Sequence, residues 1–253
     1  MSQMPNYKKP PVREALIDIR VDRLPSTVLP ELERLHEKLK TNYSSKQTTY
    51  EIETRLEMQE ASFAARQKSH GIIGYRFISS DSRKIIQSKL HGFTFNRLKP
   101  HPDESWPGWE TLRAEAKNAW ELYVEITKPR EITRLAVRYI NQIVIRAASI
   151  DLDEYFTAPP RVPKDLPYQD LDNFFGRVAI SIPDLSATAV ITHAPAPKPF
   201  PNSVTIILDI DIFRQQRMLL DSSIVWETLD RFRDLKNNVF EASLHQKAKD
   251  LFL

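Results

Sequence analysis

The 253 residues include 36 lysines and arginines, 33 aspartates and glutamates, and no cysteine, which excludes disulfides, thiolate metal sites and cysteine nucleophiles. Only five glycines are present, the closest pair being Gly71 and Gly74, so a loop of clustered glycines cradling a phosphate is excluded too. The net charge of +3 permits nucleic-acid binding without arguing for it, since a dedicated binder concentrates its basic residues.

No apolar run reaches the roughly 18–20 residues of a membrane span. The start, "MSQMPNYKKPPVRE", has no apolar core behind its charges. A signal peptide is therefore not expected, and the expected location is cytoplasmic, with no membrane partner. Residues 14–22 alternate, Ala15, Ile17, Ile19 and Val21 against Leu16, Asp18, Arg20 and Asp22, which predicts a half-buried strand. Leu29, Leu32, Leu35 and Leu39 then recur at helical spacing, with Ser26 or Thr27 as the cap. Strands are predicted over 47–58, 71–79, 83–90 and 92–98, with 61–67 ambiguous. A proline-broken loop leads into a helix from about Trp109. Its stripe is Trp109, Leu112, Ala116, Ala119, Trp120 and Tyr123, and it ends before Pro129.

The pattern then restarts. Residues 131–146 read as the longest strand, followed by a short helix in "IDLDEYF" and a proline-rich loop. Strands follow at about 173–182, 186–193 and 203–213. A last helix over about 223–252 is expected to be about 45 Å long. The repeated order predicts an α+β protein of two pseudo-repeated halves, 1–129 and 130–253, packed as one unit. Each would be a curved antiparallel sheet with a long helix on one face. The order also resembles the half-unit of TATA-binding-protein-like folds, an analogy that carries no function by itself.

Several stretches together resemble a sporadically distributed family of uncharacterised prokaryotic proteins of about this length. They are "PPVREALIDIRV", "GFTFNRLKP" with "WETLRAEAKNAWELY", "RLAVRYINQIVI", "ILDIDIF" and "VWETLDRFRDLKNNVFEASL". The resemblance covers nearly the whole chain in order, and its segments are specific in combination. It implies a prokaryotic cytoplasmic protein and, from the patchy distribution, mobile or defence-associated loci. It implies no chemistry.

Asp209 and Asp211 are two positions apart in a strand, so both carboxylates share a face, about 7 Å apart. Such a pair can hold a divalent cation when a third acidic or histidine ligand is near, or it can neutralise arginines on neighbouring strands. Arg20, Arg134 and Arg138 are the candidate partners. With Arg177 they form a set able to grip phosphates or carboxylates, or a self-neutralised network with those same aspartates. None of the six histidines lies within five residues of another, and no activated-serine motif occurs, so no catalytic residue, metal or cofactor is assigned. Arg97, Lys99 and Trp106, and Lys236 on the last helix, are candidates for nucleic-acid or partner contact; a loop anchor and a solvated helix face are the plainer readings.

The absence of catalytic motifs favours a non-enzymatic binding or accessory protein that recognises protein or nucleic acid. The alternatives are an enzyme acting on phosphate-bearing substrates, and a sensor of small anions, both using the Asp209, Asp211, Arg134 and Arg138 face.

Overall fold

The structure, a computed structural model, describes residues 7–59, 62–99, 104–169, 171 and 173–253, with backbone alone for 52–59 and 62–70. The period-two segments form strands β1 (Val12–Val21), β2 (Ser45–Gln59), β3 (Ser62–Ile78), β4 (Lys84–Lys89) and β5 (Gly92–Leu98), then β6 (Ile132–Ile145), β7 (Gly176–Ile182), β8 (Ala187–Pro195) and β9 (Val204–Arg214). The helical spacings form α1 (Leu29–Leu39), α2 (Gly108–Thr127) and α3 (Ser222–Ser243), with a short α4 (Gln246–Lys249). The protein is α+β. All nine strands join one antiparallel sheet in the order β2-β3-β4-β5-β1-β6-β9-β8-β7.

One sheet forms where two were expected. β1 pairs with β6 from Val12 opposite Asn141 to Val21 opposite Ile132, so the early and late strands share a ladder. Separate sheets would leave two central strands with unpaired N–H and C=O edges, and pairing them removes both edges. The alternation of β1 fixes which side is core: Ala15, Ile17, Ile19 and Val21 are buried. In register with them on the same face are Phe93 and Phe95 of β5, Leu135, Val137 and Tyr139 of β6, and Ile210 and Ile212 of β9. Helices α1, α2 and α3 all pack on this face. The ring of His36 stacks on Phe77 at 5.2 Å, Trp120 lies 5.9 Å from Phe93, and Lys236 sits over Tyr139. Among the described residues no helix covers the opposite face.

Four sequence expectations are corrected. β6 has 14 residues, fewer than the 15 of β2 and the 17 of β3. The ambiguous stretch at 61–67 continues as strand from Ser62, because β3 runs unbroken to Ile78 alongside β2. Neither Ser26 nor Thr27 caps α1; both lie in a 3-10 turn, Ser26–Val28, that leads into the helix at Leu29 with Pro30 in its first turn, where a missing N–H does no harm. The last helix breaks. Leu244 is extended at φ −121°, ψ 136°, and bridges Phe156 while the N–H of His245 donates to the Tyr155 carbonyl. Those tertiary hydrogen bonds replace helical ones at 244–245. α3 itself starts on a built cap: the Asp221 carboxylate accepts from the N–H of Ser223 at 2.9 Å and of Ile224 at 3.4 Å. The proline-broken loop before α2 falls partly on residues 100–103, outside the described residues. No helix among the described residues is long and apolar enough to cross a membrane.

Candidate functional site

Alternation sends Asp18, Arg20, Arg134, Arg138, Asp209 and Asp211 to the helix-free face, because their neighbours Ile17, Ile19, Leu135, Val137, Ile210 and Ile212 fill the core. The antiparallel register of β1, β6 and β9 then brings them side by side. Arg138 stands directly opposite Asp211 and Ile140 opposite Asp209. The Arg138 guanidinium nevertheless slants along the strand onto Asp209 as a two-pronged fork, Nε to Oδ1 at 2.9 Å and Nη2 to Oδ2 at 2.5 Å. Arg134, four residues earlier in β6, bridges two strands: Nη1 donates to Asp18 Oδ2 at 2.5 Å, and Nη2 to Asp211 Oδ2 at 3.0 Å. Its guanidinium lies 4.7 Å from the centre of the Phe213 ring. Arg20 contacts neither Asp209 nor Asp211 by any of these bonds; its Nε donates to Asp18 at 3.2 Å.

Asp18 is thus the hub. It accepts from Arg134, from Arg20 and, through Oδ1, from the Thr94 hydroxyl at 2.9 Å. The polar web continues across the sheet. The Gln87 amide donates to Asn96, and Asn96 in turn donates to Glu14 at 2.5 Å. Asp18 was visible in sequence as a charged residue between Ile17 and Ile19, the signature of a strand whose second face is polar, but nothing local marked it as the shared acceptor.

The electrostatics follow from depth. Burial raises the Asp211 carboxyl above the usual carboxylate range, with Arg134 and Arg138 pulling the other way, and its Oδ1 has no hydrogen-bond partner. The hydrogen bond to Asp209 raises the Arg138 guanidinium further above its ordinary value, against the opposing effect of burial. Burial also lowers the Lys89 ammonium at the same face. Each aspartate has an arginine against it, so this face lacks the excess of negative charge that a divalent cation needs. Among the described residues no group of three or more histidines, aspartates and glutamates is placed to hold a metal.

Two of the cations lie outermost. The side chains of Arg20 and Arg138 are 52% and 42% exposed, while those of Asp18 and Asp209 beneath them are 12% and 13% exposed. The carboxylates act as a floor that fixes the guanidinium groups, and the guanidinium groups meet solvent. Arg177, at the outer strand β7, is exposed on the same face, in register with Thr192 and Asp209.

The remaining candidates lie elsewhere. Arg97 points to the core side, where Nη1 donates to Glu115 of α2 at 2.9 Å; Lys84 shares that carboxylate at 2.6 Å. It ties helix to sheet and offers no free charge for a partner. Lys99 is exposed beyond the end of β5, its backbone tied to Arg13 and Arg83. Trp106 packs 6.5 Å from Tyr139. Lys236 does not face solvent as a polar helix stripe would; its ammonium lies 3.9 Å from the centre of the Tyr139 ring. Helical spacing puts Lys236 four residues from the buried Phe232 and four from the buried Phe240, so it points inward along the apolar stripe. Trp106 and Lys236 meet at a cleft on the helix side of the sheet. Comparison with protein-family models, curated proteins and solved structures finds no match to this chain.

Proposed function

We propose a non-enzymatic binding protein of the prokaryotic cytoplasm that holds nucleic acid by its phosphates on the helix-free face of the sheet. One observation carries this reading: on that face the carboxylates lie beneath and the guanidinium groups of Arg20 and Arg138 lie on top. Arginine held by a carboxylate keeps donors free for a second planar or tetrahedral anion, and fixing the side chain beforehand lowers the entropy cost of the contact. The Phe213 ring is covered by Arg134, so base stacking contributes little here and binding is insensitive to sequence. The two-halves reading accords with this use. The first strand of each half lies beside its last, β1 by β5 and β6 by β9, and the halves meet at β1 and β6, where the arginines sit. The sequence resemblance adds a setting, an accessory protein of mobile or defence-associated loci.

Fluorescence anisotropy with labelled single- and double-stranded oligonucleotides tests the reading. Two phosphate contacts, one each from Arg20 and Arg138, predict that affinity for duplex falls about 12-fold between about 50 and 200 mM salt, and less steeply for single strands. Arg20→Gln with Arg138→Gln, which removes both charges but keeps an amide donor at each aspartate, weakens binding at least tenfold while the melting temperature falls by only a few degrees. Binding with no salt dependence, or unchanged in that double variant, sinks the proposal. No binding to any nucleic acid would turn attention to a protein partner on the same face.

A further inference from the structure

On the opposite side of the sheet a cleft of 530 Å³ lies between the N-terminal segment, the start of α2, strand β6 and the second half of α3. That volume suits a small organic ligand. Five aromatic side chains, Tyr7, Trp106, Trp109, Tyr139 and Phe240, line it, and α3 supplies two cations, Arg233 and Lys236. Arg233 is in contact with the exposed Asp234 at 3.2 Å. Among the described residues no carboxylate pairs with Lys236. Its ammonium hydrogen-bonds the Asn237 side-chain oxygen and rests on the Tyr139 ring.

We propose that this cleft binds a small organic acid with a flat apolar body, the aromatic walls taking the body and Lys236 with Arg233 taking the anionic group. The site is independent of the nucleic-acid face. An amine in an aromatic cleft without a counter-ion leaves its charge uncompensated, and a ligand carboxylate or phosphate supplies what is missing. Burial, helped by Arg233, pushes Lys236 down to about 7, with Glu241 acting weakly against it. The other charged and titratable groups facing it do not replace the ligand. Glu241 is taken by Lys249 at 3.1 Å and by the Tyr7 hydroxyl at 2.9 Å. Tyr139 and Tyr7 are both raised by burial and stay neutral. Lys8 adds a further cation at the rim, and α2 brings Trp109 but no titratable group to the lining.

Binding of an acid therefore draws a proton onto Lys236. Calorimetric titration of the full chain with benzoate, indole-3-carboxylate and phenyl phosphate, with benzyl alcohol as the neutral control, tests this. At least one acid should bind at pH 7 and bind at least tenfold more weakly at pH 9, where the free amine is neutral. Near pH 8 the heat should vary between phosphate and Tris buffers by close to one proton taken up per ligand. Lys236→Arg, which stays charged at both pH values, should hold its affinity at pH 9, and Lys236→Met should lose at least tenfold at pH 7. Benzyl alcohol binding as well as the acids would overturn the proposal. So would an affinity that is flat with pH in the wild-type protein, or no binding of any of the three acids at millimolar concentration.

Discussion

Arg134 is the residue whose removal should be felt most on the polar face, and Arg134→Met isolates its charge while keeping an apolar stem over the Phe213 ring. Its side chain is 13% exposed, against 12% for Asp18 and 22% for Asp211. Asp18 would keep Arg20 and the Thr94 hydroxyl. Among the described residues Asp211 would keep no hydrogen bond to either oxygen, since Arg134 supplies the one to Oδ2 and Oδ1 has none. Removing one partner of a buried pair costs about 3–5 kcal/mol. The cost has a ceiling, because an abandoned carboxylate can take a proton. From an ordinary carboxylate value near 3.9 that ceiling is about 5 kcal/mol at pH 7.5 and about 1.5 kcal/mol at pH 5. The sign is fixed. A carboxylate raised in the folded state binds more protons than in the unfolded chain, so its stability contribution is lost as pH rises through the folded value. Chemical denaturation should therefore show Arg134→Met less stable than wild type by about 3 kcal/mol at pH 7.5 and by about 1 kcal/mol at pH 5. At neutral pH this corresponds to a drop of about 6–12 °C in melting temperature. A loss below about 1 kcal/mol at pH 7.5, or one equal at both pH values, would refute the account of Asp211 as a carboxylate held charged by Arg134.

Asp209→Asn removes the ionic half of the fork to Arg138, whose side chain is 42% exposed, so denaturation should show a loss of about 1 kcal/mol, well under that of Arg134→Met. Gly92→Ala would place a methyl group 2.5 Å from the Ile19 carbonyl oxygen and 2.7 Å from Arg20 Cα at a φ of +144°; melting should reveal a loss above about 2 kcal/mol, and a near-neutral substitution would mean that β1 and β5 can move apart. Lys236 is lowered to about 7 in the folded protein, so between there and about pH 10 the unfolded chain binds more protons and wild-type stability should rise with pH. Lys236→Met should accordingly gain on wild type by about 3–4 kcal/mol on going from pH 10 to pH 7; a gap that stays constant with pH would show that the amine is not desolvated.

Much of the local structure was legible because local rules set it. β5 spans Gly92–Leu98 as its alternation predicts, and α2 ends at Thr127 with Lys128 in the left-handed conformation just before Pro129. Where a long-range contact competed, the local pattern lost: helical spacing carried the last helix through Leu244, but its bridge to Phe156 ended it. The start of β3 from Ser62 had no alternation to declare it and is set by pairing with β2.

Local pattern is enough to put Asp209 and Asp211 on one face, and Arg134 and Arg138 likewise, because a strand's period of two is a property of the backbone alone. It also determined that this face is not the core, since the intervening Ile210, Leu135 and Val137 are apolar. Which arginine meets which aspartate was decided only by tertiary structure. The β1–β6 and β6–β9 registers set the distances between strands, and a shift of one residue would send each charged side chain to the other face. The same holds for Asp18 as the common acceptor of Arg20 and Arg134, and for Lys236, whose uncompensated charge exists only because α3 lies across Tyr139. Periodicity is a local property, whereas registry and burial depend on the whole packed sheet.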